Sequence, residues 1–134
     1  MPRLERYEVE LFIRSSWDAQ TALPYYADIW SMLNPSLGQC DVTALLIQDI
    51  WGGELVRTTV EGYGSHYYNR LPGGEEIDLT GNQFPSGTVI PPGLPVERSC
   101  VLDSESAVWS RTAERYRILR LRFDQKLYML PSGF

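Results

Sequence analysis

The sequence predicts an α+β fold in which a central helix packs on a small antiparallel sheet, within a single domain spanning residues 1–134. Three observations predict it. Val42, Leu45, Leu46 and Ile50 recur at the spacing of one helix face. Ala44 and Ile47 add apolar character on other sides, so this helix is expected to be surrounded. After Gly52-Gly53 the pattern shifts to the β-branched stretch Glu54-Leu55-Val56-Arg57-Thr58-Thr59-Val60, and two short segments then flank Pro72-Gly73-Gly74, a hairpin signature.

Residues 2–14 read as a helix, with Pro2 suited to the first helical position. Leu4, Tyr7, Leu11 and Phe12 form its apolar face, between charged residues. Val9 and Ile13 depart from that face, so a strand over Tyr7–Ile13 competes. Residues 16–39 read as irregular, with Trp17, Tyr25, Tyr26 and Trp30 among Asp18, Pro24, Asp28, Asn34, Pro35 and Gly38. A long irregular stretch in a small domain usually has work to do. Trp17 and Trp30 cover a core edge on one reading and wall a cleft leading to Cys40 on another, and the two are compatible.

The central helix runs from Cys40 to about Trp51, where glycine stops it. Strands are expected over residues 54–60, 65–71 and 75–79. A three-residue loop Pro72–Gly74, with Gly74 in the left-handed position, sets Leu71 opposite Glu75 and Tyr68 opposite Asp78. Side chains alternate along a strand, so His66, Tyr68, Asp78 and Thr80 then share a face. His66 and Asp78 become diagonal neighbours, about 7–8 Å apart at the backbone. A two-residue loop would turn Asp78 away from His66.

Residues 81–103 form a second irregular tract, in which Pro91-Pro92-Gly93 excludes helix. It reads as an ordered loop overhanging the cleft, and Cys100, beside Val101 and Leu102, as a packing residue. A last helix is expected from Ser110 to Leu127, with Ala113, Tyr116, Leu119, Phe123 and Leu127 on its inner face. The alternation in Leu119–Phe123 also suits a strand, but the length favours a helix. Its arginines read as a solvated face by default, or as a patch for an acidic partner.

Bulk properties narrow the function. A 43% hydrophobic content supports a core, and a net charge of −5 argues against nucleic acid as a partner. No apolar run approaches the roughly 18 residues of a membrane span. The charged start Met1–Glu5 is unlike a signal peptide, so the cytoplasm is expected, with Cys40 and Cys100 as thiols. One histidine and two separated cysteines do not make a metal-ligand spacing, and no cofactor is called for.

The chemistry centres on Cys40, where loop becomes helix. Free backbone N–H groups and the positive end of the helix dipole there favour a thiolate. His66 is the base candidate and Asp78 the group that would orient it. A cysteine at a helix start also serves as a small packing residue, and a lone histidine is commonly structural. The combination and its order carry the case.

The stretch from Trp30 through Asn34-Pro35 and Gly38-Gln39-Cys40, then Leu45 to Gly53, His66-Tyr67-Tyr68-Asn69-Arg70-Leu71-Pro72, and Glu76-Ile77-Asp78-Leu79-Thr80 with Gln83-Phe84 resembles the small bacterial YunG-like family. The resemblance covers roughly residues 16–85. The order Cys, His, Asp on helix, strand and strand is in turn similar to the papain and transglutaminase superfamily. That likeness implies Cys40 as nucleophile, His66 as base and Asp78 as orienting acid. The interval of 26 residues from Cys40 to His66 is much shorter than in papain, implying a minimal version. The Cys40 backbone N–H and the side chain of Gln39 or Asn34 are the candidates for stabilising an oxyanion. Expected functions are a cysteine hydrolase or acyltransferase for an amide or ester, in a protein, peptide or small molecule, or a non-catalytic binding module of the same fold, with the aromatic segments from Trp17 to Trp30 and the hairpin as its partner surface.

Overall fold

A computed structural model describes residues 4–130. The first helix, α1 (Arg6–Arg14), starts from Glu5, whose backbone N–H bonds the Glu8 carboxylate at 3.0 Å in a reciprocal capping box. The expected start at Pro2 lies outside the described residues. The helix is present, but its apolar face differs from the expected one. Val9 and Ile13 point into the core, while Tyr7 and Leu11 are exposed. The two residues that departed from the expected face are the ones the core takes, and Leu4 and Phe12 pack beside them.

The tract 16–39 is mostly loop, with one helical turn, α2 (Pro24–Ala27), that irregular structure was not expected to contain. Next come α3 (Cys40–Trp51), β1 (Glu54–Val60), β2 (Gly64–Arg70) and β3 (Glu76–Ile77). Helix α3 matches the expected span. Every residue from Cys40 to Ile47 is buried, so the first two turns of the helix are enclosed on all sides, while Asp49 is exposed. Gly52 ends it with a φ of 78°, and Gly53 follows at 85°. A Cβ on Gly53 would lie 2.2 Å from the Arg70 carbonyl oxygen, so only glycine lets the chain turn so tightly from helix into strand.

The hairpin adopts the three-residue loop. Asn69 pairs with Ile77 and Arg70 with Glu76, and the Leu71 N–H donates to the Glu75 carbonyl at 2.7 Å. Gly74 takes the left-handed position with φ 94°. β3 is shorter than expected and ends one residue before Asp78.

The tract 81–103 corrects the reading of it as a loop throughout. It holds a 3₁₀ turn (Gly81–Gln83), a fourth strand β4 (Leu94–Val96) and a short helix α4 (Arg98–Leu102). The sheet order is β3-β2-β1-β4, all antiparallel. Pro95 sits in β4, where an edge strand tolerates a missing N–H. Cys100 is exposed on α4, so it is not a packing residue; Val101 is the buried member of that helix.

The expected last helix, Ser110 to Leu127, is present within two residues of those bounds, and a short helix that was not expected precedes it. α5 (Glu105–Ser110) and α6 (Thr112–Tyr128) are separated by Arg111, a non-glycine residue at φ 55°. Thr112, Arg115, Leu119 and Phe123 are the buried residues of α6, and Ala113 is exposed. The core joins Val42, Leu46 and Ile47 of α3 to Ile13, Trp17, Ile77, Leu119 and Phe123. A second cluster of Ala44, Leu45, Leu55 and Val101 lies between α3, β1 and α4. Among the described residues, no helix is long and apolar enough to cross a membrane.

Candidate functional site

The hairpin register brings His66 and Asp78 together. Their contact, His66 Nε2 to Asp78 Oδ2, is 2.8 Å. A carboxylate oxygen accepts, so Nε2 carries the proton and Nδ1 presents a lone pair. Nδ1 is buried and has no hydrogen-bond partner. The imidazole is 0% exposed, stacked near Tyr68 and met edge-on by the Phe84 ring at 5.1 Å. Phe84 also touches Tyr63, on the turn between β1 and β2.

β2 presents its two faces to different neighbours. Tyr67 and Asn69 look toward α3: Asn69 Nδ2 donates to the Ala44 carbonyl at 2.9 Å, and Tyr67 packs on the Ala44–Leu45 cluster. His66 and Tyr68 look the other way, beneath the tract 81–93, where the Gly93 N–H donates to the Tyr68 hydroxyl at 2.9 Å. The imidazole therefore lies on the sheet face away from the body of α3. A pocket of about 250 Å³ lined by Tyr68, Glu76, Asp78, Ile90, Pro91 and Pro92 reaches the Asp78 side of the pair.

Cys40 approaches β2 from its edge. The Leu71 N–H points toward β3, so by alternation the Tyr67 N–H does too, but β3 has already ended. That amide faces the Cys40 sulfur and favours its thiolate. The favour is outweighed: burial, with the Asp41 carboxylate adding to it, pushes the Cys40 thiol up to about 12. Cys40 is 5% exposed, and its sulfur makes no hydrogen bond to His66. Tyr26 lies close by; burial raises its phenol, and nearby Tyr25, Tyr63 and Cys40 raise it further.

The other residues singled out from the sequence have defined places. Gln39 is fully buried, and its Nε2 donates to the Asp18 carbonyl at 3.0 Å. Asn34 Nδ2 donates to the Gln83 carbonyl at 3.0 Å. Trp17 is a core residue whose Nε1–H donates to Thr43 Oγ1 at 2.9 Å. Trp30 packs against the same core and donates to the Pro35 carbonyl at 2.9 Å. Both tryptophans thus cover the core edge.

Two features were missed. Asp41, the residue after Cys40, is buried and accepts from Thr112 Oγ1 (3.1 Å), from the Val42 N–H (2.8 Å) and from two nitrogens of Arg115. Arg115 is 4% exposed and also donates to the Thr21 and Ser110 carbonyls, so it does not belong to a solvated face. An aspartate in the first turn of an apolar helix was the available signal. The second feature is Gln83, whose Oε1 accepts from the Gly38 N–H at 3.2 Å while its Nε2 is buried without a partner.

These observations define an α+β protein with a small antiparallel four-stranded sheet, several helices and a buried Cys and His with a half-buried Asp around one strand edge. The chain belongs to the YunG family: the model described as "YunG protein" matches residues 5–128. It is similar to the "Uncharacterized protein YunG" of Bacillus subtilis (strain 168), with 32% identity over 120 residues, 89% of this chain and 91% of that protein. No solved structure matches.

Proposed function

We propose that the protein is a cysteine-dependent hydrolase or acyltransferase for an amide or ester, with an arrangement like that of papain and transglutaminases. One observation carries the reading. His66 is held through Nε2 by Asp78 with Nδ1 left unbound, one residue from the amide that faces the Cys40 sulfur at the head of α3. Cys40 attacks the carbonyl carbon, His66 Nδ1 takes the thiol proton and returns it to the leaving group, and Asp78 keeps the imidazole in that tautomer. The acyl group then passes from sulfur to water or an amine. Because the thiol is pushed up to about 12, it rests protonated at neutral pH, and proton transfer accompanies attack. Cys40 and Cys100 are both free, which suits a reducing compartment, and we place the protein in the cytoplasm.

A second reading, a non-catalytic binding module, is favoured by the burial of both sulfur and imidazole. The exposed Tyr25, Ile29, Met32 and Leu33 would then be its contact surface. Acetylation by p-nitrophenyl acetate, followed by mass spectrometry in a Cys100→Ser background, separates the two. The enzyme reading expects an acetyl group on Cys40 and a rate at least about 100-fold lower in His66→Ala, the scale of general-base catalysis. No acetylation at Cys40, or equal acetylation without His66, leaves the binding module.

A further inference from the structure

We infer that Gln83 supplies the side-chain N–H that stabilises the oxyanion, together with the backbone N–H of Cys40; the inference rests on the reaction proposed above. When the sulfur bonds to the carbonyl carbon, the π electron pair moves onto oxygen while the thiol proton moves to His66 Nδ1. The oxyanion needs donors already in place and not engaged elsewhere. The Cys40 N–H is one, since the first N–H groups of a helix have no intrahelical acceptor.

The second must be a side chain. The amide nitrogens of Gln39 and Asn34 each already donate to a carbonyl, of Asp18 and Gln83 respectively. Gln83 differs. Its Oε1 is fixed by the Gly38 N–H, two residues before Cys40, which leaves Nε2 as a buried donor with no acceptor. Buried donors are nearly always paired, so an orphan on a side chain bonded two residues before the candidate nucleophile marks a place for an acceptor that arrives later. The turn that carries Gln83 is also held in place. The Gln83 N–H donates to the Thr80 carbonyl at 3.0 Å, and neighbouring Asn82 Oδ1 accepts from Ser36 Oγ at 2.8 Å. The 3₁₀ turn is thus tied to the loop that delivers Cys40.

The test compares two reactions of Cys40 in a Cys100→Ser background. Acetylation by p-nitrophenyl acetate passes through an oxyanion; alkylation by iodoacetamide does not. Gln83→Met is expected to lower the ratio of acetylation to alkylation rates by about 100-fold, the scale of losing one oxyanion donor. Taking the ratio cancels changes in thiol ionisation and access that a merely structural role would cause. Gln83→Glu, which keeps an acceptor for Gly38 but lacks the donor, should behave alike and serves if Gln83→Met does not fold. An unchanged ratio, while wild type is still acetylated at Cys40 in a His66-dependent way, overturns the role of Gln83 alone. No acetylation of wild type overturns the reaction itself, and this inference with it.

Discussion

At the scale of single residues, the sulfur of Cys40 is held by opposing influences. A helix start and a strand amide favour its anion, while burial and Asp41 oppose it and win. The consequence for stability has a definite sign. The folded state holds the thiol proton more tightly than the unfolded chain, whose thiol titrates near 9. The stabilisation is therefore complete below about pH 9 and lost as pH rises toward 12. Denaturant midpoints measured from pH 8 to 11 should fall more steeply for wild type than for Cys40→Ala, with other titrating groups cancelling in the comparison. Parallel curves would mean that the sulfur is more solvated than the burial of Cys40 implies.

The His66–Asp78 contact was legible because two local rules agreed. Gly74 demanded a left-handed position, and strand alternation then fixed which side chains meet. The burial of Cys40 was not legible, because the groups around the sulfur include Tyr67, Asp78 and Arg115, which no local window brings together. Cys100 misled for a related reason. Its apolar neighbours Val101 and Leu102 were visible, but on a five-residue helix only one direction faces the core, and Val101 takes it.

At the scale of elements, α3 and the hairpin followed from period and turn chemistry, as did the inner face of α6 apart from Ala113, while the face of α1 was only partly right. In α1 several apolar residues lie on more than one side, and sequence alone does not say which side meets the core. The break between α5 and α6 occurs at an arginine in a left-handed conformation, which residue type does not announce. The junction of α3 and β1 is the opposite case, since Gly53 is required there. Gly53→Ala meets the Arg70 carbonyl and an unfavourable φ together, so it should cost more than about 1 kcal/mol in chemical denaturation. A neutral result would show that the hairpin slides to make room.

At the scale of the whole molecule, the Asp41–Arg115 pair links α3 to α6. Two further donors, Thr112 and the Val42 N–H, complete the carboxylate's shell, and carbonyls of Thr21 and Ser110 complete that of the guanidinium. Arg115→Met leaves the carboxylate buried without a countercharge and should lower stability by about 3–5 kcal/mol, read from urea unfolding. The double variant Asp41→Leu/Arg115→Met should recover much of that loss, since an apolar replacement of both partners is often close to neutral. A loss in the double variant as large as in the single one would place the cost in packing rather than charge. Of this pair the sequence offered only the aspartate in the first turn of α3, since its partner lies 74 residues away and is one of several arginines in α6.

That separation also sets an order on biosynthesis. A nascent chain halted before residue 115 carries α3 and the hairpin but not the guanidinium that Asp41 requires. The thiol-bearing helix then has a carboxylate at its head that must stay hydrated, and hydration there keeps it from docking. Residue 115 must therefore be made before the sulfur can be enclosed, so the enclosure waits on α6 rather than on the helix that bears the thiol.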